Sequence, residues 1–242
     1  MRTSPMLTLG IGLLLVGSAP AQTAAGRTDW QSLKVVEFSD PVYPPRLMQL
    51  AVTQGEARVV ISVDRQGALT EWLVTGYTRP EFATAAVDAI KEWKFEPARL
   101  RGEPLGAIAE LTFHFTAQGV VVSSLNFGEM IEVQTMRLFD ERYEFRACLP
   151  AELDRAPAPL STVAPAYPLA LAKQGVRGSV NVEFYIDETG AVRLPSLEPG
   201  DNLALGSLAI AALSQWKFTP PTSRGRAALV KAVQTFDFRD GS

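Results

Sequence analysis

Apolar and polar residues alternate in four stretches of this chain, and each stretch predicts a half-buried β-strand with one face toward a core. The apolar faces consist of Val59, Ile61 and Val63; Ala109, Leu111, Phe113 and Phe115; Val180, Val182, Phe184 and Ile186; and Ala232, Gln234, Phe236 and Phe238. Two further strands, at residues 68–75 and 191–197, are expected to return after tight turns that end in glycine.

Helical spacing replaces alternation in two stretches. Apolar residues recur at helical steps in two sets, Phe82, Ala86, Ala89, Ile90 and Trp93 and then Leu205, Ala209, Ala212, Leu213 and Trp216. Pro97 and Pro220 follow and prevent either helix from continuing. Shorter amphipathic helices are predicted at residues 45–54 and 169–174, each opened by a Tyr-Pro pair.

These elements occur twice in the same order. Asp64 to Gly67, Trp93 to Pro97 and Phe113 to Phe115 reappear 123 residues later, and the Tyr-Pro pair reappears 124 residues later. A period this long indicates a duplicated domain, because solenoid repeats span roughly 20–50 residues.

The fold class predicted for each copy is α+β, with a three-stranded, mainly antiparallel sheet packed against two helices. We expect domain 1 at residues 41–117 and domain 2 at residues 164–242. Residues 118–163 are expected to add one or two strands to the first sheet and then to form an extended linker, and residues 22–40 form an N-terminal segment.

The N-terminus predicts export. Arg2 precedes an apolar stretch from Met6 to Val16, and Ala19-Pro20-Ala21 is a small-residue cleavage pattern, so we expect a signal peptide at residues 1–21 and a periplasmic protein. An uncleaved inner-membrane anchor is the alternative, although the stretch is shorter than the ~20 residues of a spanning helix. Net charge is −3, which disfavours nucleic acid as a partner.

The repeated motifs together resemble the C-terminal domain of the TonB family. The second copy has Tyr167-Pro168, Gly175 and Gly178 before a Val-x-Val-x-Phe strand, Asp187 to Gly190, an Ala-rich helix into Trp216 to Pro220, and a closing Phe-x-Phe. The first copy lacks the second glycine, since Ala57 and Arg58 stand in its place. The resemblance implies a domain that adds a short peptide of an outer-membrane transporter to its sheet edge.

Strand addition at such an edge predicts the candidate binding residues. They lie on the last strand of each copy: Leu111, Thr112, Phe113, His114 and Phe115, and then Gln234, Thr235, Phe236, Asp237 and Phe238. The expected partner is a peptide segment of an outer-membrane transporter or another envelope protein. The alternatives are a membrane-anchored energy transducer, a structural module that forms a homodimer, and two copies that pair their edges with each other.

No residues suggest catalysis, a metal site or a cofactor, and we expect a protein that is not an enzyme. His114 and Cys148 are the only histidine and cysteine, and they lie in separate segments. Alternation places His114 away from the core, and Cys148 is expected to be buried as a small apolar residue. Asp64 and Asp187 are expected to serve as turn residues, and Trp93 and Trp216 to pack in the cores.

Overall fold

The computed structural model describes residues 30–117, 119–125, 143–197 and 201–239. The signal-peptide prediction and residues 118 and 126–142 of the segment between the copies lie outside these ranges. The first copy comprises β1 (Trp30–Gln31), β2 (Lys34–Glu37), α1 (Pro45–Gln49), β3 (Gln54–Val63), β4 (Leu69–Tyr77), α2 (Pro80–Glu92), β5 (Lys94–Glu96), β6 (Ala98–Leu100), β7 (Glu103–Leu105), β8 (Ala107–Thr116) and β9 (Gly119–Leu125).

The second copy repeats the central part of this order. The remaining elements are β10 (Phe145–Arg146), a 3-10 turn (Pro150–Glu152), β11 (Pro159–Ser161), α3 (Leu169–Lys173), β12 (Gly178–Ile186), β13 (Val192–Leu197), α4 (Leu203–Leu213), β14 (Lys217–Phe218), β15 (Thr222–Ser223), β16 (Arg226–Ala227) and β17 (Val230–Phe238). The predicted α+β class is confirmed.

The first sheet has five antiparallel strands in the order β10-β4-β3-β8-β9, three from the repeat and two from outside it. The chain turns back after β8, and β9 pairs with β8 from Gly119 opposite Thr116 to Leu125 opposite Glu110. β10 pairs with the far side of β4. Both added strands come from residues 118–163, where one or two strands extending this sheet were expected.

The second sheet has the three predicted strands, in the order β13-β12-β17, with α4 packed on one face. β12 and β17 pair without interruption from Gly178 opposite Phe238 to Ile186 opposite Val230. Two aromatic side chains of β17, Phe236 and Phe238, are buried beneath the helix layer. The alternating pattern therefore identified the core face of this strand correctly.

The tryptophan that follows the long helix of each copy forms a hydrogen bond to an extended segment that precedes the copy. The Trp93 indole N–H donates to the Ser39 carbonyl at 2.9 Å, and that of Trp216 donates to the Val163 carbonyl at 2.8 Å. These segments form β2 and β11, which pair with β5 and β14. Each copy thus has a small second sheet that periodicity alone did not predict.

The turn glycines of the two copies, Gly67 and Gly190, lie against β5 and β14. Gly67 and Gly190 have φ of +84° and +79°, a region that favours glycine. A Cβ added to Gly190 would stand 2.0 Å from the Phe218 carbonyl oxygen, and one at Gly67 2.4 Å from that of Phe95. The Asp64 and Asp187 carboxylates accept backbone N–H groups within the turns, as predicted for turn residues.

Within the described residues, the two copies meet through side chains, and no strand of one copy pairs with a strand of the other. A buried cluster joins Val60 of the first sheet to Tyr185, Leu194 and Leu229 of the second. Arg193 Nε donates to Glu71 Oε1 at 2.5 Å, and its Nη1 lies 3.6 Å from Asp187 Oδ2. Burial raises the pKa of the Tyr185 phenol, with a further contribution from the negative charge of Glu110.

Candidate functional site

The predicted binding residues of the first copy do not lie at a sheet edge. Residues 111–115 are in β8, which pairs with β3 on one side and with β9 on the other. A partner strand cannot be added where both neighbours are already present, so the expected edge position of these five residues is wrong. The edge on this side of the sheet is β9 instead.

The predicted residues of the second copy do lie at an edge. β17 pairs with β12 along its whole length, and within the described ranges no strand pairs with residues 232–238 on the other side. We call the backbone N–H and C=O groups on this open side of β17 the β17 edge. Its side chains alternate between the buried Phe236 and Phe238 and the exposed Val233, Thr235 and Asp237.

A contact at the start of β17 identifies which backbone groups point outward. Cys148 forms a parallel bridge with Val230, and its N–H donates to the Leu229 carbonyl at 2.7 Å. Because successive backbone groups of a strand point to opposite sides, the groups of Lys231, Val233, Thr235 and Asp237 also point away from β12. The uninterrupted register of β17 carries this alternation to its end.

The same contact closes one end of the β17 edge. The chain from Ala147 to Pro150 crosses from β4 to β17, since the Ala147 N–H donates to the Thr75 carbonyl before Cys148 bonds to Leu229. It then leaves the strand, because the Leu149 N–H donates to Glu152 Oε2 at 2.7 Å and Pro150 has no N–H. Pairing on this side therefore stops at Val230.

The opposite edge of the second sheet is poorly suited to accept a strand. β13 contains Pro195, and Leu194 has a φ of +48°. Leu194 is also buried in the cluster between the copies, and Arg193 is held by Glu71 of the first copy. Proline, an irregular backbone and a packed neighbour all disfavour further pairing at β13.

Two cavities occupy equivalent places in the two copies, where the first repeated strand begins and the last one ends. The cavity of the second copy is about 360 Å³ and is lined by Arg177, Gly178, Ser179, Asp237, Phe238 and Arg239. The cavity of the first copy is about 760 Å³, and its lining includes the residues 123 positions earlier, from Gln54 to Glu56 and from His114 to Thr116.

A hydrogen-bonded group lines the larger cavity. His114 lies opposite Glu56 on the sheet face away from α2, with Nδ1 3.0 Å from Glu56 Oε1, and the Tyr143 hydroxyl donates to Glu56 Oε2 at 2.5 Å. The hydrogen bond to His114 lowers the pKa of Glu56, while burial and the bond to Glu56 raise that of Tyr143. Arg58 stacks on Tyr143, 4.7 Å from its ring centre.

A family model described as the C-terminal of the Gram-negative bacterial TonB protein matches two segments, residues 39–117 and 163–239. The chain belongs to this family. The two segments coincide with the two copies, so the expectation of tandem TonB C-terminal domains is confirmed. No curated protein matches the chain.

Membership in the TonB C-terminal family indicates involvement in TonB-type envelope transport, through domains that transduce energy or mediate interactions. None of the helices in the described ranges has both the length and the apolar character needed to cross a membrane. Within the same ranges, no three histidine, cysteine or carboxylate residues are grouped so that they could hold a metal ion.

The residues at the two ends of the β17 edge were not predicted from the sequence. Cys148, which is partly buried, and Pro150 close one end, while Arg177 and Arg239 lie at the other. The prolines after Cys148 were a signal that strand pairing by this segment would stop. The strand with which Cys148 pairs, β17, is distant in the sequence and could not be identified. Trp72 is 39% exposed, and Lys91 Nζ lies over its ring, 5.3 Å from the ring centre.

Proposed function

We propose that this TonB-family chain binds an extended peptide by adding it as a strand to the β17 edge. The observation that carries the proposal is the row of outward backbone groups from Val233 to Asp237, beside which no strand pairs among the described residues. The partner is a segment of an outer-membrane transporter or of another envelope protein, and the site is in the periplasm after cleavage of residues 1–21.

Main-chain hydrogen bonds supply the affinity in strand addition, and contacts with alternate side chains supply the specificity. An added strand would lie beside Val233, which is 53% exposed, and beside Thr235. The helix face of β17 is already filled by Phe236 and Phe238. Selection of side chains therefore occurs mainly on the face that carries Val233, Thr235 and Asp237.

The duplication gives the two copies different tasks in this proposal. The first copy has its last repeated strand covered by β9, and it packs against β13 through the cluster of Val60, Leu194 and Leu229. It therefore supports one face of the second copy and leaves β17 as the strand that receives the peptide. Of the two repeated last strands, β17 is therefore the one that can receive a peptide.

The proposal predicts that Val233→Pro weakens peptide binding while the fold is retained. Proline removes an outward N–H that makes no bond to β12, a position where edge strands tolerate it. We expect at least about tenfold weaker binding from the lost bond and the obstructing ring. Peptides selected by display on the purified chain are synthesised with a fluorescent label, and their anisotropy is measured.

Val233→Ala is the matched control, since it shortens the same side chain and keeps the N–H. Equal binding by the wild type, Val233→Ala and Val233→Pro, with unchanged circular dichroism, would contradict strand addition at β17. If Val233→Pro disrupts a homodimer and no peptide binds the wild type, the edge serves self-association and the peptide proposal is wrong.

A further inference from the structure

We propose that Glu110 makes the interface between the two copies sensitive to pH, so that the interface becomes more stable as the medium becomes acidic. This inference goes beyond the proposed function, because it concerns the contact between the copies and does not require a peptide. The interface is the buried cluster of Val60, Tyr185, Leu194 and Leu229. Glu110 is a carboxylate of the first copy that lies beside this cluster.

The alternation of β8 places Glu110 on the face of the first sheet that the second copy covers. Its neighbours Ala109 and Leu111 point to the opposite face and pack in the core of the first copy. Ile108, two residues earlier on the same face as Glu110, packs against the cluster between the copies. Across the sheet, Glu110 lies opposite Val60, which is completely buried in that cluster. Glu110 itself is partly buried, at the boundary of the interface.

Charged and titratable groups from other strands face this carboxyl. They are the guanidinium of Arg58 on β3, the phenol of Tyr185 on β12 and the ammonium of Lys231 on β17. Both cations also have other partners, since Arg58 stacks on Tyr143 and Lys231 Nζ lies 2.9 Å from Glu183 Oε2. Among the residues that the structure describes, none donates a hydrogen bond to the Glu110 carboxyl or forms a salt bridge with it.

The environment of Glu110 favours its protonated form. Burial raises the pKa of Glu110, and the positive charges of Arg58 and Lys231 only partly offset this effect. When the copies separate, the carboxyl returns to water and to the ordinary pKa of a glutamate. The joined copies therefore bind a proton more readily than the separated ones. The resulting stability of the interface is complete below the ordinary pKa of 4.5 and is lost as the pH rises through the raised value.

The interface adjoins the strand that forms the β17 edge. Leu229 belongs to the cluster and directly precedes β17, and its carbonyl accepts the Cys148 N–H. Lys231, the second residue of β17, is one of the two cations that face Glu110. Protonation of Glu110 therefore changes how strongly the start of β17 is held against the first copy.

Scanning calorimetry of the wild type and Glu110→Gln at about pH 8 and about pH 5 tests the inference. Glutamine keeps the size of the side chain and removes its titratable charge. We expect the variant to unfold at least about 2 °C above the wild type at the higher pH, and this difference to shrink toward zero at the lower pH. Glu103→Gln removes an exposed carboxylate of the same copy and should differ little from the wild type at either pH.

A second comparison tests whether the effect arises at the interface. Leu229→Asp places a charge in the cluster and should separate the copies. In this background, the addition of Glu110→Gln should leave the unfolding temperature of the first copy unchanged at both pH values, because the carboxyl is already in water.

Three results would overturn the inference. Glu110→Gln could unfold at or below the wild-type temperature at the higher pH, which would mean that the charge stabilises the interface. The difference from the wild type could be the same at both pH values, which would mean that protonation of Glu110 has no part in it. The difference could also persist in the Leu229→Asp background, which would place the effect within the first copy.

Discussion

The aromatic signature residues stabilise each copy by hydrogen bonding at their polar ends. The Tyr43 and Tyr167 hydroxyls each donate at 2.5 Å to a carbonyl nine residues later, Val52 and Val176. These bonds hold the chain as it leaves the short helices α1 and α3. Together with the indole bonds of Trp93 and Trp216, they give the tyrosine and the tryptophan a structural role in both copies.

Phe236 provides the sharpest test of a single core residue. Its side chain is 7% exposed and lies edge-on to Trp216, with ring centres 5.6 Å apart. We expect Phe236→Ala to lower the free energy of unfolding by about 3–5 kcal/mol, because it leaves a cavity beneath α4.

Chemical denaturation followed by tryptophan fluorescence measures this effect. The neighbouring substitution Thr235→Ala, on the exposed face of the same strand, is the control and should cost far less. An unchanged unfolding midpoint for Phe236→Ala would contradict the assignment of Phe236 to the core face.

The regular strands and the long helices were predictable because each buries one face whose spacing is visible in the sequence. The helix expected to continue to residue 54 ends earlier, at Gln49, because Ala51 has a φ of +56° and the chain turns for the bond from Tyr43 to Val52. Local geometry of this kind depends on a tertiary contact. The helix at residues 169–174 was placed within one residue of its observed end, Lys173.

The availability of a sheet edge was not predictable, because it depends on strands that pair across long distances in the sequence. Equal patterns in β8 and β17 suggested equal roles, yet β9 covers only β8. The segment between the copies is also more than a linker. Arg146 pairs with Glu152, and Asp154 accepts the N–H groups of Arg224 and Gly225 in the β15–β16 hairpin at 2.7 and 2.8 Å.

The contact between the copies makes the chain one structural unit. Leu229 is 2% exposed and lies directly before β17, in the cluster that also contains Val60 and Leu194. Its position links the stability of the interface to the placement of the β17 edge. A charge at this position would have to be buried without a partner or would separate the two copies.

We therefore predict that Leu229→Asp uncouples the two copies. Scanning calorimetry should show a single transition for the wild type and two for the variant, because each copy keeps its own core. Val233→Asp adds the same charge four residues away at an exposed position and should keep the single transition. Two transitions in the wild type would contradict the coupling.

Hydrogen exchange measured by NMR, with and without a selected peptide, tests the central claim most directly. The amides of Val233, Thr235 and Asp237 point away from β12, whereas those of Gln234 and Phe236 point toward it. The account predicts that the first set exchanges rapidly in the free chain and becomes protected with peptide, while the second set is protected in both states. Protection that appears on another strand, or that leaves the first set unchanged when peptide is bound, would contradict strand addition at the β17 edge.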